Sequence, residues 1–253
     1  MLTTQRKQLL LTRLQQDGQI VAKAFSEELG ISEDTVRRDL RELAAEGRLQ
    51  RVHGGALPAS AAVGNLQARE QLAPEDKRAL GRAGAALVLP GQVVILDGGT
   101  TSLQVVQHLP LDLRATVVTH SPTVAVALAG HAQVEVLMLG GRLFRHSMVN
   151  VGASVVEAAA QVRADLYLMG VTGVHAETGL TTGDFEEAAV KRALHQRAAE
   201  TVVLASLDKL GTASPFSVAP LRELAALVVP AATPQALRKK LQAGGAKVEI
   251  AAS

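Results

Sequence analysis

The chain has 253 residues, with 26 Lys and Arg against 24 Asp and Glu, a formal net charge of +2. Hydrophobic residues are 47% and charged residues 20%, the balance of a soluble globular chain with one large domain or two unequal ones. Aromatics are only 2% and cysteine is absent. That argues against base stacking on ring platforms and excludes disulfides, thiol nucleophiles and Cys-ligated zinc.

The seven histidines show no paired metal-ligand spacing, and no nucleophile elbow occurs, so neither a metal nor an organic cofactor is expected. No apolar run approaches the ~18 residues of a transmembrane helix, and residues 1–18 lack the apolar stretch of a signal peptide. The expected location is the cytoplasm, with no membrane partner. No basic field spans the whole protein, so any contact with DNA must come from a local cluster.

Residues 1–56 are dense in charge, with nine Lys/Arg and eight Asp/Glu. Three short helices fit 4–46. The first runs from Thr4 to about Gln16, puts Leu9, Leu10 and Leu14 on one face, and stops at Asp17-Gly18. The second spans roughly Lys23–Leu29 and ends at Gly30. Ser32 caps the third, 33–46, where Glu33 and Asp34 suit the positive end of the helix dipole.

In that third helix Val36, Leu40 and Leu43 form the buried stripe. Asp34, Arg38, Arg41 and Glu42 lie opposite, flanked by Thr35 and Arg37. This outer face is either a solvated one, with its arginines paired to Glu33, Asp34 and Glu42, or the reading face of a helix-turn-helix. Residues 47–55, GRLQRVHGG, then read as a short strand with a Gly-Gly tip. Arg48, Arg51 and His53 would form the wing beside a DNA groove.

Residues 57–68 are uncharged and rich in Ala, with Pro and Gly, which reads as the start of a linker over 57–74. From 75 onward, apolar runs recur at 93–96, 116–119, 134–139, 166–169, 201–205, 226–229 and 247–250. Most do not alternate, so both faces should be covered, as in a parallel sheet between helices. The fold class is therefore α/β: an N-terminal domain over 1–56 and a C-terminal domain over 75–253 with a mostly parallel sheet.

Three C-terminal segments carry candidate chemistry. The strand QVVILD (92–97) runs into Gly98-Gly99-Thr100-Thr101 and then a helical pattern. Such a loop is either a tight strand-to-helix turn or an anion site built from backbone N–H groups and a helix dipole. Thr178 to Arg192 places Asp184 and Glu187 in the first turn of a helix, with Lys191 four residues beyond Glu187. That pattern also fits a capped surface helix with an internal ion pair. SLDKLG (206–211) follows the run at 201–205 and brings Lys209 to the same sheet edge, where it could neutralise a phosphate. Arg142, after Gly140-Gly141, either reaches a ligand or closes its loop.

The stretch ISEDTVRRDLRELAAEGRLQRVHGGA (31–56) resembles, without a gap, the N-terminal signature of the DeoR/GlpR family of bacterial transcriptional regulators. The C-terminal segments, together with VLMLGGRLFRHSMVNVG (136–152), resemble that family's effector domain in order and spacing. The resemblance covers essentially the whole chain. It implies a winged helix-turn-helix domain joined to a sugar-phosphate sensor domain similar in fold to ribose-5-phosphate isomerase. It implies double-stranded operator DNA as a partner, met by Ser32, Asp34, Thr35, Arg37, Arg38, Arg41, Arg48, Arg51 and His53. A phosphorylated sugar would be held by Asp97, Gly98, Gly99, Thr100, Thr101, Asp184, Glu187, Lys191 and Lys209.

By the same resemblance, repression of a sugar or carbohydrate operon is expected, by a homo-oligomer, dimer or tetramer, without catalysis. Two other functions compete with it: a sugar-phosphate isomerase with an appended domain, and a protein-interaction module built on the winged helix. Three positions depart from the family pattern. Val21 stands where Ser or Thr often caps helix two, His120 where Asn is usual, and Ser206 where Asp is usual.

Overall fold

The computed structural model describes residues 2–60 and 66–252. The N-terminal domain opens with α1 (Thr3–Asp17), β1 (Ile20–Val21) and α2 (Ala22–Leu29). It continues with α3 (Glu33–Ala45), β2 (Leu49–Val52) and β3 (Gly55–Pro58), the strands ordered β1-β3-β2. Gly18, at φ 74°, ends α1 and donates to the Leu14 carbonyl at 3.0 Å. The Ser32 hydroxyl accepts from Thr35 N, which caps α3.

Val36, Leu40 and Leu43 are buried against Leu10, Leu14 and Phe25. On α1 Leu11 is buried and Leu9 only partly so, because the helix turns its stripe one position further than the leucine spacing alone indicates. Val21 supplies no side-chain cap to α2; the Ala22 N–H instead donates to the Gly54 carbonyl of the wing tip at 2.8 Å. The wing therefore closes the helix start that the sequence leaves uncapped.

The stretch read as linker is partly structured. Leu57 and Pro58 belong to β3, and α4 (Leu66–Glu70) precedes α5 (Pro74–Ala86). Residues 61–65 of that stretch lie outside the described residues.

The C-terminal domain then alternates strands and helices. They are β4 (Val93–Leu96), α6 (Thr100–His108), β5 (Ala115–Thr119), α7 (Pro122–Ala127) and β6 (Val134–Met138). A hairpin follows, β7 (Arg142–Phe144) and β8 (Val149–Val151), then α8 (Ala153–Ala159) and β9 (Ala164–Met169). Next come β10 (Gly173–His175), β11 (Gly179–Thr182), α9 (Phe185–His195) and β12 (Ala198–Leu204). The chain ends with β13 (Phe216–Ala219), β14 (Ala226–Val229), α10 (Gln235–Ala243) and β15 (Val248–Ile250).

All seven apolar runs are strands of one parallel sheet, in the order β15-β14-β12-β9-β4-β5-β6. Its two faces bury two cores. Val94 and Leu96 pack with α5 and α6, whereas Ile95 between them packs with α8 and α9. That double burial is why these strands read as unbroken apolar runs. The antiparallel sheet β10-β11-β13 and the hairpin β7-β8 lie outside the run pattern.

The strand order reverses between β4 and β9, because β5 and β6 extend one way and β12, β14 and β15 the other. Ligands of open α/β sheets bind outside the carboxyl ends of strands at such a switch point. Asp97 and Gly170 stand there.

Candidate functional site

Two regions carry chemistry. The first is the outer face of α3 and the wing. Arg38, Arg41, Arg48, Arg51 and His53 are exposed, with no ion pair among the described residues. Arg37 is also exposed, but its guanidinium donates to Glu33 Oε1 at 2.6 and 3.0 Å. Asp34 is exposed at the helix start, and Ser32 and Thr35 share a hydroxyl contact of 2.9 Å. Glu42 is drawn to Lys7 of α1 at 2.8 Å, which leaves Arg38 and Arg41 without that carboxylate.

Asp39 lies on the inner side, buried, and accepts a two-pronged hydrogen bond from Arg6. It ties α1 to α3 and is absent from the outward set. The face is thus cationic and solvated, carried on a helix of the length and N-cap that a major-groove reader needs.

The second region is the switch point. Asp97, at the end of β4, is fully buried. Its Oδ1 accepts from Gly98 N at 2.7 Å and from the His120 Nε2 at 2.8 Å. Its Oδ2 accepts from Tyr167 OH at 2.9 Å, Gly170 N at 2.9 Å and Lys191 Nζ at 2.6 Å. Burial alone would raise the Asp97 pKa, but the charge of Lys191 and the His120 hydrogen bond overturn this and hold it well below the usual range. Burial would likewise lower Lys191, and Asp97 and Glu187 keep it raised. The pair is ionised.

His120 contacts the Asn150 carbonyl through Nδ1 at 2.9 Å. Glu187 bonds Lys191 at 3.4 Å and accepts from Thr182 Oγ1 at 2.9 Å, while Asp184 caps α9 by accepting from Glu187 N at 2.9 Å.

Gly98 has no room for a side chain: a Cβ there would lie 2.3 Å from Val149 Cγ1. Gly99, at φ 114°, turns the chain into α6 with no side-chain cap on the first turn. Beside that turn lies a small cavity lined by Arg69, Gly98, Thr101, Ser102, Lys191 and Lys209, among others. Its volume is about 20 Å³, room for about one water. Thr101 Oγ1, Ser206 Oγ and Arg69 Nε are buried without a hydrogen-bond partner among the described residues.

Lys209 makes no ion pair among the described residues. Burial lowers its pKa to about 8 against the pull of Asp208, with Arg69, Lys77 and Lys191 adding repulsion. Burial lowers Arg69 as well, against the pull of Glu187 and Asp97. The arrangement is a closed, cation-rich pocket with orphaned donors, which suits a multivalent oxyanion.

Of the residues singled out in the sequence, Gly98, Thr101, Glu187, Lys191 and Lys209 line this cavity. Asp97 sits behind it and holds Lys191; Gly99 and Thr100 shape the α6 turn, and Asp184 acts on the helix behind Glu187. Arg142 is on the surface, paired with Glu186. Arg69 is the residue sequence reasoning missed, because it lies in the stretch taken for linker. A signal was present: residues 52–68 carry no Lys, Arg, Asp or Glu, and Arg69 ends that run.

A winged helix-turn-helix followed by a parallel α/β domain is the layout of a DNA-binding transcriptional regulator. Family models agree on both parts. A DeoR-like helix-turn-helix domain matches residues 6–61, and a DeoR C-terminal sensor domain matches 72–230. The chain belongs to the DeoR family of transcriptional regulators and is not an enzyme.

The HTH-type transcriptional regulator GlpR of Haloferax volcanii is 33% identical over 98% of each chain. The HTH-type transcriptional repressor GlcR of Bacillus subtilis is 31% identical over 95% of this chain and 93% of its own. Among solved structures, ribose 5-phosphate isomerase A from Methanocaldococcus jannaschii is 17% identical at a TM-score of 0.40, over 54% of each chain. The full-length sorbitol operon regulator SorC from Klebsiella pneumoniae is 13% identical at 0.41, over 94% of this chain and 98% of its own. No described helix is long and apolar enough to cross a membrane, and no described group of three His, Asp or Glu residues could hold a metal.

Proposed function

We propose that this regulator represses a sugar or carbohydrate operon, and that a phosphorylated sugar bound at the switch point controls it. The observation that carries the reading is the buried Lys209, without an ion pair among the described residues, beside Arg69 and the orphaned Thr101 hydroxyl, at the uncapped start of α6. Arg69 and Lys209 make no ion pair among the described residues and feel only the longer-range pull of Glu187, Asp97 and Asp208, so an anion that joins them offsets the cost of burying both charges. A phosphate supplies that charge and accepts from Lys209, Arg69, Thr101 and the α6 N–H groups. Asp97 keeps Lys191 ionised and in place, with Glu187 at the sugar end.

A cavity of about 20 Å³ is smaller than a phosphate, so the ligand enters by displacing the Arg69 and Lys209 side chains. Arg69 sits on α4, which is joined to the N-terminal domain through a short segment, and movement there reaches the DNA-binding face. On DNA, α3 enters the major groove, where Arg38 and Arg41 reach base edges. Arg48, Arg51 and His53 meet phosphates, which position rather than specify. One winged helix reads too few bases for an operator, so a homo-oligomer, dimer or tetramer, binds repeated half-sites.

The named repressor activity of the GlcR relative supports the direction of control. Titration of the full chain with inorganic phosphate and a panel of phosphorylated sugars, by calorimetry, tests the pocket. Binding that Lys209→Met removes is the expected result; no binding by any phosphate ester overturns it.

A further inference from the structure

We propose that the ligand lies across the boundary between the two domains, with its sugar end in contact with the DNA-binding domain itself. The proposal rests on the phosphate reading above and adds where the rest of the molecule goes.

A second cleft, of about 370 Å³, separates the C-terminal end of α3 from the sensor domain. One wall is Ala44, Gly47 and Gln50; the other includes Phe144, His146 and Ser214. Ser147, Thr172 and Glu187 line both this cleft and the anion cavity, so the two spaces meet. Ligand sites for small molecules are typically ~300–1,000 Å³. The anion cavity holds only the charged end of a sugar phosphate, and the adjoining cleft is the space of the right size for its polyol.

The walls also suit a polyol. Glu187 accepts hydroxyls at the junction, and Ser147, Thr172 and Ser214 offer hydroxyls of their own. The Phe144 ring, 5.7 Å from the His146 ring, presents an aromatic surface to C–H groups. Gln50 Nε2 bonds only the backbone carbonyl of its neighbour Arg51, at 3.0 Å, a contact easily exchanged for a ligand oxygen.

The domains touch at the same place. Ala213 N donates to the Pro58 carbonyl at 3.2 Å, and the Ser60 hydroxyl donates to the Thr172 carbonyl. Thr172 thus holds the DNA-binding domain through its backbone while its side chain, 2.7 Å from the Ser214 hydroxyl, borders the cleft. A ligand that touches both walls has a different affinity for each domain arrangement, which is the condition for it to alter DNA binding. Gln50 and the end of α3 are then part of the ligand site as well as of the DNA-binding domain.

The test is calorimetric titration of the full chain without DNA, using inorganic phosphate, ribose 5-phosphate, glucose 6-phosphate, fructose 1-phosphate and glycerol 3-phosphate. Wild type is compared with Gln50→Ala and with Ala44→Leu, which narrows the cleft from the head side. The expected result is one ester that binds wild type tighter than phosphate does. Each variant weakens that ester at least tenfold and leaves phosphate affinity unchanged. Gln50→Ala, a partly exposed wing position, keeps the test valid should Ala44→Leu disturb the fold. Ester affinity unchanged in Gln50→Ala, with phosphate still bound, overturns the bridging site and leaves the phosphate pocket standing. No binding of phosphate or of any ester by wild type overturns both.

Discussion

Asp97 and Lys191 lie 94 residues apart in sequence and 2.6 Å apart in space, both buried, joining the end of β4 to the middle of α9. The same carboxylate collects Gly98, His120, Tyr167 and Gly170, so one side chain fixes the geometry of the switch point. Removing one partner of a buried pair leaves the other charge uncompensated, which typically costs about 3–5 kcal/mol. Asp97→Ala therefore lowers the melting temperature by roughly 6–20 °C for a chain of this size, measured by scanning calorimetry. A loss below about 1 kcal/mol would mean that water replaces the carboxylate.

The same carboxylate makes an acid-sensitive fold. Its folded-state pKa is depressed, so its contribution is fully present above the unfolded value of about 4 and is lost as the pH falls below it. Denaturation midpoints at pH 6 and pH 3 should differ by more in wild type than in Asp97→Asn. Equal differences would remove Asp97 as the source.

Lys209 shows the opposite sign. Its folded pKa, about 8, is below the unfolded one, so stability is reduced while it is charged and rises as the pH climbs from about 8 towards 10.5. Lys209→Met should be more stable than wild type by about 1–3 kcal/mol at pH 7 in the absence of ligand. An anion favours the charged amine, so phosphate-ester affinity should fall as the pH rises above about 8. Calorimetry at pH 7 and pH 9 reads both the affinity and the proton uptake; a pH-independent affinity would place the anion elsewhere.

On the DNA side, Arg38→Ala and Arg41→Ala should each weaken operator binding by about 1–3 kcal/mol, roughly 5- to 150-fold, with little change in melting temperature. Arg37→Ala should cost less, because Glu33 already engages that guanidinium. Arg48→Ala and Arg51→Ala should instead reduce the salt dependence by about one unit of slope each, with sequence preference retained. Gel-shift titrations at two salt concentrations separate the two kinds of residue.

Asp39→Ala should act through folding. The Arg6–Asp39 contact is buried inside the winged helix, so its loss costs about 2–4 kcal/mol and destabilises that domain. Operator affinity then falls on warming while the affinity for inorganic phosphate stays. A temperature-independent loss of DNA binding would instead assign Asp39 to the interface.

The seven parallel strands were legible because burial on both faces writes an uninterrupted apolar run. The helix-turn-helix was legible because caps, glycines and a leucine stripe agree over a short stretch. The loop from β4 to α6 showed as glycines and hydroxyls between a strand and a helix. The second sheet did not show, because β10, β11 and β13 are short and their partners lie in separate segments. Arg69 was hidden by its uncharged neighbours. The roles of His120 and Tyr167 depend on contacts 23 and 70 residues from Asp97, which no local pattern encodes. Ser206 was marked as a departure; in the structure its hydroxyl is buried and unpartnered at the foot of the turn that carries Lys209.

The central claim is that a phosphorylated sugar in this pocket governs DNA binding. The direct measurement is fluorescence polarisation on DNA from just upstream of the protein's own gene, with phosphorylated sugars added to wild type and to Lys209→Met. One ester is expected to lower wild-type affinity at least tenfold, while Lys209→Met holds the same DNA and ignores every ester. DNA binding by wild type that no phosphorylated sugar changes would contradict it.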